Sequence, residues 1–245
     1  MIGRNGFQPS ENSLLPRGLK AVSSMRKLYF YIRCIPKTLW FNFYYFSLKQ
    51  AILCPVLVSH RTCFREMKGK VIIPSDAKFG KIKLGFGEVQ LADGKYSRFI
   101  WSLKKGGIIH FGRGNKVGTG CRLYVAGNLT IGDGVNFTGE ATIVCEESIE
   151  FGDRTLVSWG TLFMDTDMHA VENEANQRLN PNKPIKIGSD VWVCAKVTIL
   201  KGSAIQPNSI VSAAAVVVGQ YDKEVVLAGN PAKVVASMEG KTFRH

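Results

Sequence analysis

The chain has 245 residues, 25 glycines, six cysteines and a formal charge of +13. Its uncharged apolar runs between Leu28 and Val58 reach about 11 residues, against roughly 20 needed to cross a bilayer, so that region can lie on a membrane but not span one. Cys34, Cys54, Cys63, Cys121, Cys145 and Cys194 form no C-x-x-C pair and do not cluster with histidine. A disulfide scaffold and a zinc site are therefore not expected, and reduced thiols of a cytoplasmic protein are.

In chain order, the opening Met1-Ile2-Gly3-Arg4-Asn5-Gly6 lacks the apolar core of a secretory signal, and residues 1–24 read as a mobile leader. Residues 25–60 mix Tyr, Phe, Trp and Leu with Lys and Arg, which predicts one or two amphipathic helices broken near Pro36 and Pro55. Residues 1–110 hold 19 Lys and Arg against 5 Asp and Glu, whereas residues 111–245 hold 13 against 14. The basic character thus belongs to the front of the chain and suggests either an anionic partner there or a solvated face. The aromatics of residues 25–60 can cap the domain that follows or make peripheral contact with a membrane. Nucleic acid has no motif behind it beyond charge.

Residues 61–110 read as irregular first coils. From residue 111 an aliphatic or aromatic residue returns at every sixth position. The runs are Phe111, Val117, Leu123, Leu129; Ile131, Phe137, Ile143, Ile149; Phe151, Val157, Phe163; and Ile187, Val193, Ile199, Ile205, Val211, Val217. A period of six fits neither a helix nor a simple strand, and it predicts an all-β, left-handed parallel β-helix of hexapeptide repeats over residues 111–235. Each early run begins two residues after the last member of the one before, so some coils carry two extra residues that bulge one corner. The turn signature Phe111-Gly112-Arg113, Ile131-Gly132-Asp133, Phe151-Gly152-Asp153 marks the longer period, and Phe79-Gly80-Lys81 reads as an earlier copy. Residues 236–245 form a tail.

The period stops once, between Phe163 and Ile187, where residues 164–186 read as a loop thrown out from the prism. The loop holds His169 beside Asp165 and Asp167. Imidazole is the natural general base at neutral pH, and a carboxylate can orient it; either aspartate can serve. A hydroxyl attacking a thioester needs that base, because its proton must leave as the new bond forms.

The hexads, the Asp-Met-His element at 167–169, Ile-Gly-Ser-Asp-Val-Trp-Val at 187–193 and Ala-Gly-Asn-Pro-Ala-Lys-Val at 228–234 occur together and in this order. Residues 111–235 thereby resemble the hexapeptide-repeat acyltransferase family. The segments Thr38–Phe43 and Trp101-Ser102-Leu103 are also similar to sugar O-acetyltransferases of polysaccharide biosynthesis. The resemblance implies a homotrimer with sites between adjacent prisms, acetyl-CoA as donor, a sugar or glycan acceptor, no metal, and direct transfer with His169 as base. It places Trp192 in the acyl-CoA cleft, Ala195 and Ala213 on the pantetheine arm, and Lys233 at the CoA phosphates. Cys194, Ser212 and Ala214 stand where relatives often have glycine. Two other functions compete: a non-enzymatic β-helix scaffold or membrane-surface module, and a γ-class carbonic anhydrase. The second needs three histidine ligands, and the repeat region offers only His110 and His169.

Overall fold

A computed structural model describes residues 17–87, 89, 93 and 96–243, with side chains of 17–24 and 26 left aside. His245 and the leader residues 1–16 lie outside the described residues.

The chain winds as a left-handed parallel β-helix with three faces. The first face has nine strands, from Val56–Val58 to Ala232–Ser237. The second has seven, from Cys63–Met67 to Val216–Val217, and the third has seven, from Lys70–Ile72 to Gln220–Tyr221. Every pairing is parallel except the last, where Val225–Gly229 turns back on Ala232–Ser237. The hexad residues form the inward columns: Val117, Leu129, Ile149, Val157, Phe163, Val193, Ile199, Val211 and Val217 are all fully buried. Stacking of coil on coil supplies each strand's hydrogen bonds and buries the shared core.

The turn signature has a physical cause. Between the third and first faces, Asp133 Oδ1 accepts the Arg113 N–H at 2.7 Å and Asp153 Oδ1 accepts the Asp133 N–H at 2.8 Å. Ser189 Oγ continues the column by accepting the Asp153 N–H at 3.1 Å. Glycine precedes each of these turns because the coils approach closely: a Cβ on Gly112 would meet Asp133 Oδ1 at 2.5 Å. Phe79 does not belong to this series. It is 69% exposed, because residues 74–81 form a detour between the first coil's third face and the next coil's first face.

The two extra residues of the early coils sit at one corner, between the second and third faces. Along the inward column Leu123 to Ile131 and Ile143 to Phe151 span eight residues, whereas Ile199 to Ile205 spans six. At that same corner Phe163 and Ile187 are separated by the long loop.

The front of the chain covers the open end. Helix α1 (Arg17–Tyr45) runs unbroken through Pro36 and is followed by α2 (Leu48–Ala51). Its start at Arg17 shortens the expected leader, and its continuity corrects the break expected at Pro36. Pro36 faces solvent, so the helix bond it removes lies on the side where water replaces it. The opposite side of α1 is held by packing: Cys34, Thr38, Phe41 and Asn42 are buried, and Phe41 packs edge-on against Trp101 at 5.1 Å between ring centres.

Three side chains at four-residue spacing satisfy the unpaired edge of the first strand. Cys34 Sγ accepts the His60 N–H at 3.3 Å, Thr38 Oγ1 accepts the Val58 N–H at 3.0 Å, and Asn42 both accepts from Val56 N–H at 3.3 Å and donates to its carbonyl at 2.7 Å. Four helical residues rise about 6 Å and two strand residues about 6.6 Å, so the two ladders stay in step. The helix thereby blunts a sheet edge that would otherwise template association. Replacing Asn42 by Leu keeps the number of side-chain heavy atoms but strands two buried backbone groups. The expected loss is about 2–4 kcal/mol, read from the urea midpoint of the variant at unchanged m-value.

Candidate active site

The loop is fixed from below and above. Asp165 is fully buried at its root, and its two oxygens accept the N–H groups of Glu146 and Glu147 at 2.8 and 2.9 Å. Those two residues are the extra pair of the coil beneath, so Asp165 locks the loop root onto the bulged corner. Thr166, also buried, accepts the Met168 N–H through Oγ1 at 3.0 Å, and Met168 takes a left-handed backbone at φ 62°. This tight turn carries His169 out to solvent, with its own N–H bonded to the Asp167 carbonyl at 2.7 Å.

Beyond His169 the loop folds back on itself. Leu179 N–H donates to the Val171 carbonyl at 2.7 Å, and Glu172 bridges Arg178 in antiparallel fashion. Asn180 closes the turn by donating to both the His169 carbonyl and Asp167 Oδ2 at 2.8 Å. From the coil above, the Lys201 ammonium pairs with Asp167 and donates to the carbonyls of Asn180 and Pro181 at 3.2 and 3.1 Å. Lys201 first, and Asn180 second, hold the Asp167 carboxyl below the usual carboxylate range. The pair therefore persists as pH falls through ordinary carboxylate titration and is lost only when Asp167 itself protonates, at still lower pH.

Among the described residues neither aspartate is hydrogen-bonded to the His169 ring. Asp165 holds the corner, and Asp167 holds the loop through Asn180 and Lys201. These last two residues were not singled out from sequence: Lys201 sits in an ordinary hexad corner and Asn180 in a polar stretch, and no periodicity marks either. Lys201→Met keeps the stem and removes the ammonium. The expected result is a fall in turnover of about 10- to 100-fold, because the loop that carries His169 is misplaced. Steady-state kinetics check this.

The other candidate residues lie elsewhere on the same prism. Trp192 is on the first face, with its indole N–H donating to Ser158 Oγ at 3.1 Å and its ring 5.9 Å from that of Phe243. Ala195 and Ala213 occupy successive turns at the corner between the first and second faces, where the Ala214 N–H donates to the Ala195 carbonyl at 3.0 Å. Among the described residues the N–H groups of Ala195 and Ala213 have no backbone partner. Ala214 adopts φ 59°, the left-handed backbone that glycine reaches most easily. Lys233 is exposed in the closing hairpin, opposite Ala228. Trp159 and the two alanine turns follow one another up this edge, since the Lys196 N–H donates to the Trp159 carbonyl at 2.9 Å.

Trp192, Ala195 and Ala213 thus line one corner region, and His169 leaves the next corner. The second face, a strand of about four residues or roughly 13 Å, separates them. Trp192 and Ala195 belong to the coil above the loop root and Ala213 to the coil above that: Trp192 pairs with Leu156 below it, and Leu162–Met164, which leads into the loop, pairs upward with Thr198–Leu200. Among the described residues no group of three His, Cys, Asp or Glu side chains is placed to hold a metal ion.

No family model matches the chain. Curated proteins do. One assigned to lipopolysaccharide-biosynthesis O-acetyl transfer in Escherichia coli K12 is 29% identical over 157 residues, which cover 59% of this chain and 80% of that protein. The polysialic acid O-acetyltransferase of Neisseria meningitidis is 36% identical over 83 residues, 34% of this chain and 36% of its own length. The Escherichia coli galactoside O-acetyltransferase is 27% identical over 134 residues, 54% of this chain and 60% of its own length. The chain therefore spans most of the first relative, about a third of the second and less than two thirds of the third. Among solved structures, a polysialic acid O-acetyltransferase superposes with a TM-score of 0.44 at 22% identity, covering 75% of this chain and 92% of that one. The hexad prism and these matches make the chain similar to hexapeptide-repeat acetyltransferases.

Proposed function

We propose that the chain is an acetyl-CoA-dependent O-acetyltransferase that acylates a hydroxyl of a sugar or glycan precursor in the cytoplasm, and that it works as a homotrimer. The observation that carries this reading is the separation of the two halves of the site onto two corners of the prism, within two coils of each other. A single prism cannot bring His169 to its own Trp192, Ala195 and Ala213. A threefold assembly that sets the loop corner of one prism against the alanine corner of the next completes a site three times over.

In this reading the free amides of Ala195 and Ala213 meet the amide-bearing pantetheine arm. Trp192, held by Ser158, walls the cleft, and Lys233 faces the CoA phosphates. His169 accepts the proton of the acceptor hydroxyl as its oxygen attacks the thioester carbonyl. The tetrahedral oxyanion then collapses, the carbon–sulfur bond breaks, and the imidazolium returns the proton to the CoA thiolate. Asp167 and Asp165 are positioning residues, acting through the loop and its root. No acyl-enzyme is required, and burial pushes the Cys145 and Cys194 thiols up, which keeps them protonated and poorly nucleophilic.

The test is release of CoA thiol from acetyl-CoA with a panel of hexoses, amino sugars and nucleotide sugars, with the product's new bond identified by mass spectrometry. Hydroxyl-dependent release with an ester product is expected. Release with amine acceptors alone would replace the O-acyl reading by an N-acyl one.

A further inference from the structure

Helix α1 has two apolar sides, and the cap uses only one. With Cys34, Thr38, Phe41 and Asn42 turned inward, Met25, Leu28, Tyr29, Ile32, Leu39, Trp40 and Phe43 form a stripe at helical spacing on the outer side. The stripe is genuinely open: Leu28 is 62% exposed and Trp40 57%. Leu48, Ile52 and Leu53 of the next turn extend it and are exposed as well. An unpartnered apolar surface of this kind marks an interaction site.

The surroundings decide the occupant. Arg33 flanks the stripe, stacked over the Tyr29 ring at 5.6 Å, and Lys49 projects from α2, whereas Lys37 turns inward to the Thr62 carbonyl. Tyr44, at the end of the stripe, also lines a groove of about 390 Å³ whose rim carries Lys68 and Lys70. No acidic residue occurs between Glu11 and Glu66. A second copy docking through this face would bring like charges together. A protein-sized acidic partner would satisfy the cations but has no groove to fill along the convex helix. An anionic bilayer satisfies both demands, because it offers apolar depth for Leu, Ile and Trp and phosphate for the cations at the same level. Tyr and Trp, with apolar bodies and polar tips, suit that boundary. Among the described residues no helix is long and apolar enough to cross a membrane, so the contact is one of lying on the surface.

We propose that the outer face of α1 and the exposed turn of α2 form a docking surface for anionic phospholipid bilayers. The proposal does not rest on the catalytic reading, since none of these residues belongs to the candidate active site. The test is flotation of the full chain with vesicles of phosphatidylcholine alone or with about 30% phosphatidylglycerol, at low and high salt. The same assay is run on the triple variant Leu28→Glu, Ile32→Glu, Leu39→Glu. All three positions are exposed, so the variant should keep the parent melting temperature and acetyl transfer to soluble acceptors. The expected result is that most of the parent floats with anionic vesicles, at least tenfold more than with neutral ones, that salt weakens the binding, and that the variant stays in the dense fraction. Failure of the parent to float with anionic vesicles overturns the proposal. So does equal flotation of parent and variant. A fall in assembly mass of the variant by light scattering would assign the face to a second copy and overturn it as well.

Discussion

His169→Ala should lower kcat for acetyl transfer by about 10²–10⁴-fold, the usual worth of a positioned general base, while acetyl-CoA binding and the assembly mass stay unchanged. The physical reason is local. The imidazole is exposed, and no described side chain depends on it, so its removal leaves the turn set by Thr166, Asn180 and Lys201 intact. The loss must then fall on chemistry and not on folding. Calorimetry with CoA and light scattering on the same sample separate the two, and kinetics indistinguishable from the parent would remove His169 from the mechanism.

The second large effect concerns the division of the site between corners. Ala213→Trp would fill the alanine corner and block the donor, while leaving the loop corner untouched. Each variant alone should fall below about 1% of parent activity. Mixed assemblies made by co-refolding equal amounts should regain about a quarter of it, because one in four neighbouring pairs joins an intact loop to an intact corner. If both halves of the site came from one chain, mixing would restore nothing. The assay needs no knowledge of the best acceptor, only one that turns over measurably.

Much of this architecture is legible in the sequence, for a physical reason. A β-helix core is a set of columns, and each column repeats one inward residue per hexad, so Ile187 to Val217 spell out the fold without long-range information. The loop is legible by contrast, as the place where the period fails. Other features depend on partners distant in sequence. The pairing of Cys34, Thr38 and Asn42 with the Val56–Val58 edge requires knowing which strand comes first and runs beside the helix. The continuity of α1 through Pro36 depends on which side of the helix faces water. Phe79 carries the signature yet lies outside the column, because the early coils contain detours that a short motif does not reveal.

The corner assignments fall between these cases. Phe163, Ile187 and Val193 are successive inward residues on the second, third and first faces, so the loop and Trp192 are separated by a whole face of the prism. Counting hexads across the interruption yields this placement. The 24-residue gap hides it, because nearness along the chain suggests that His169 and Trp192 share one wall. Asp165 is the complementary case. Its place next to the histidine in sequence suggests an orienting role, yet burial at the loop root commits both its oxygens to the backbone of the coil below.

The most direct measurement is the position of the CoA sulfur in a crystal of the assembled protein grown with CoA. With the pantetheine arm against Ala195 and Ala213 of one subunit, the sulfur should lie about 3–5 Å from the ring of His169 of the partner subunit, within reach for proton return. A sulfur more than about 10 Å from every His169 ring, or a CoA bound away from the alanine corner, would contradict the site described for this prism.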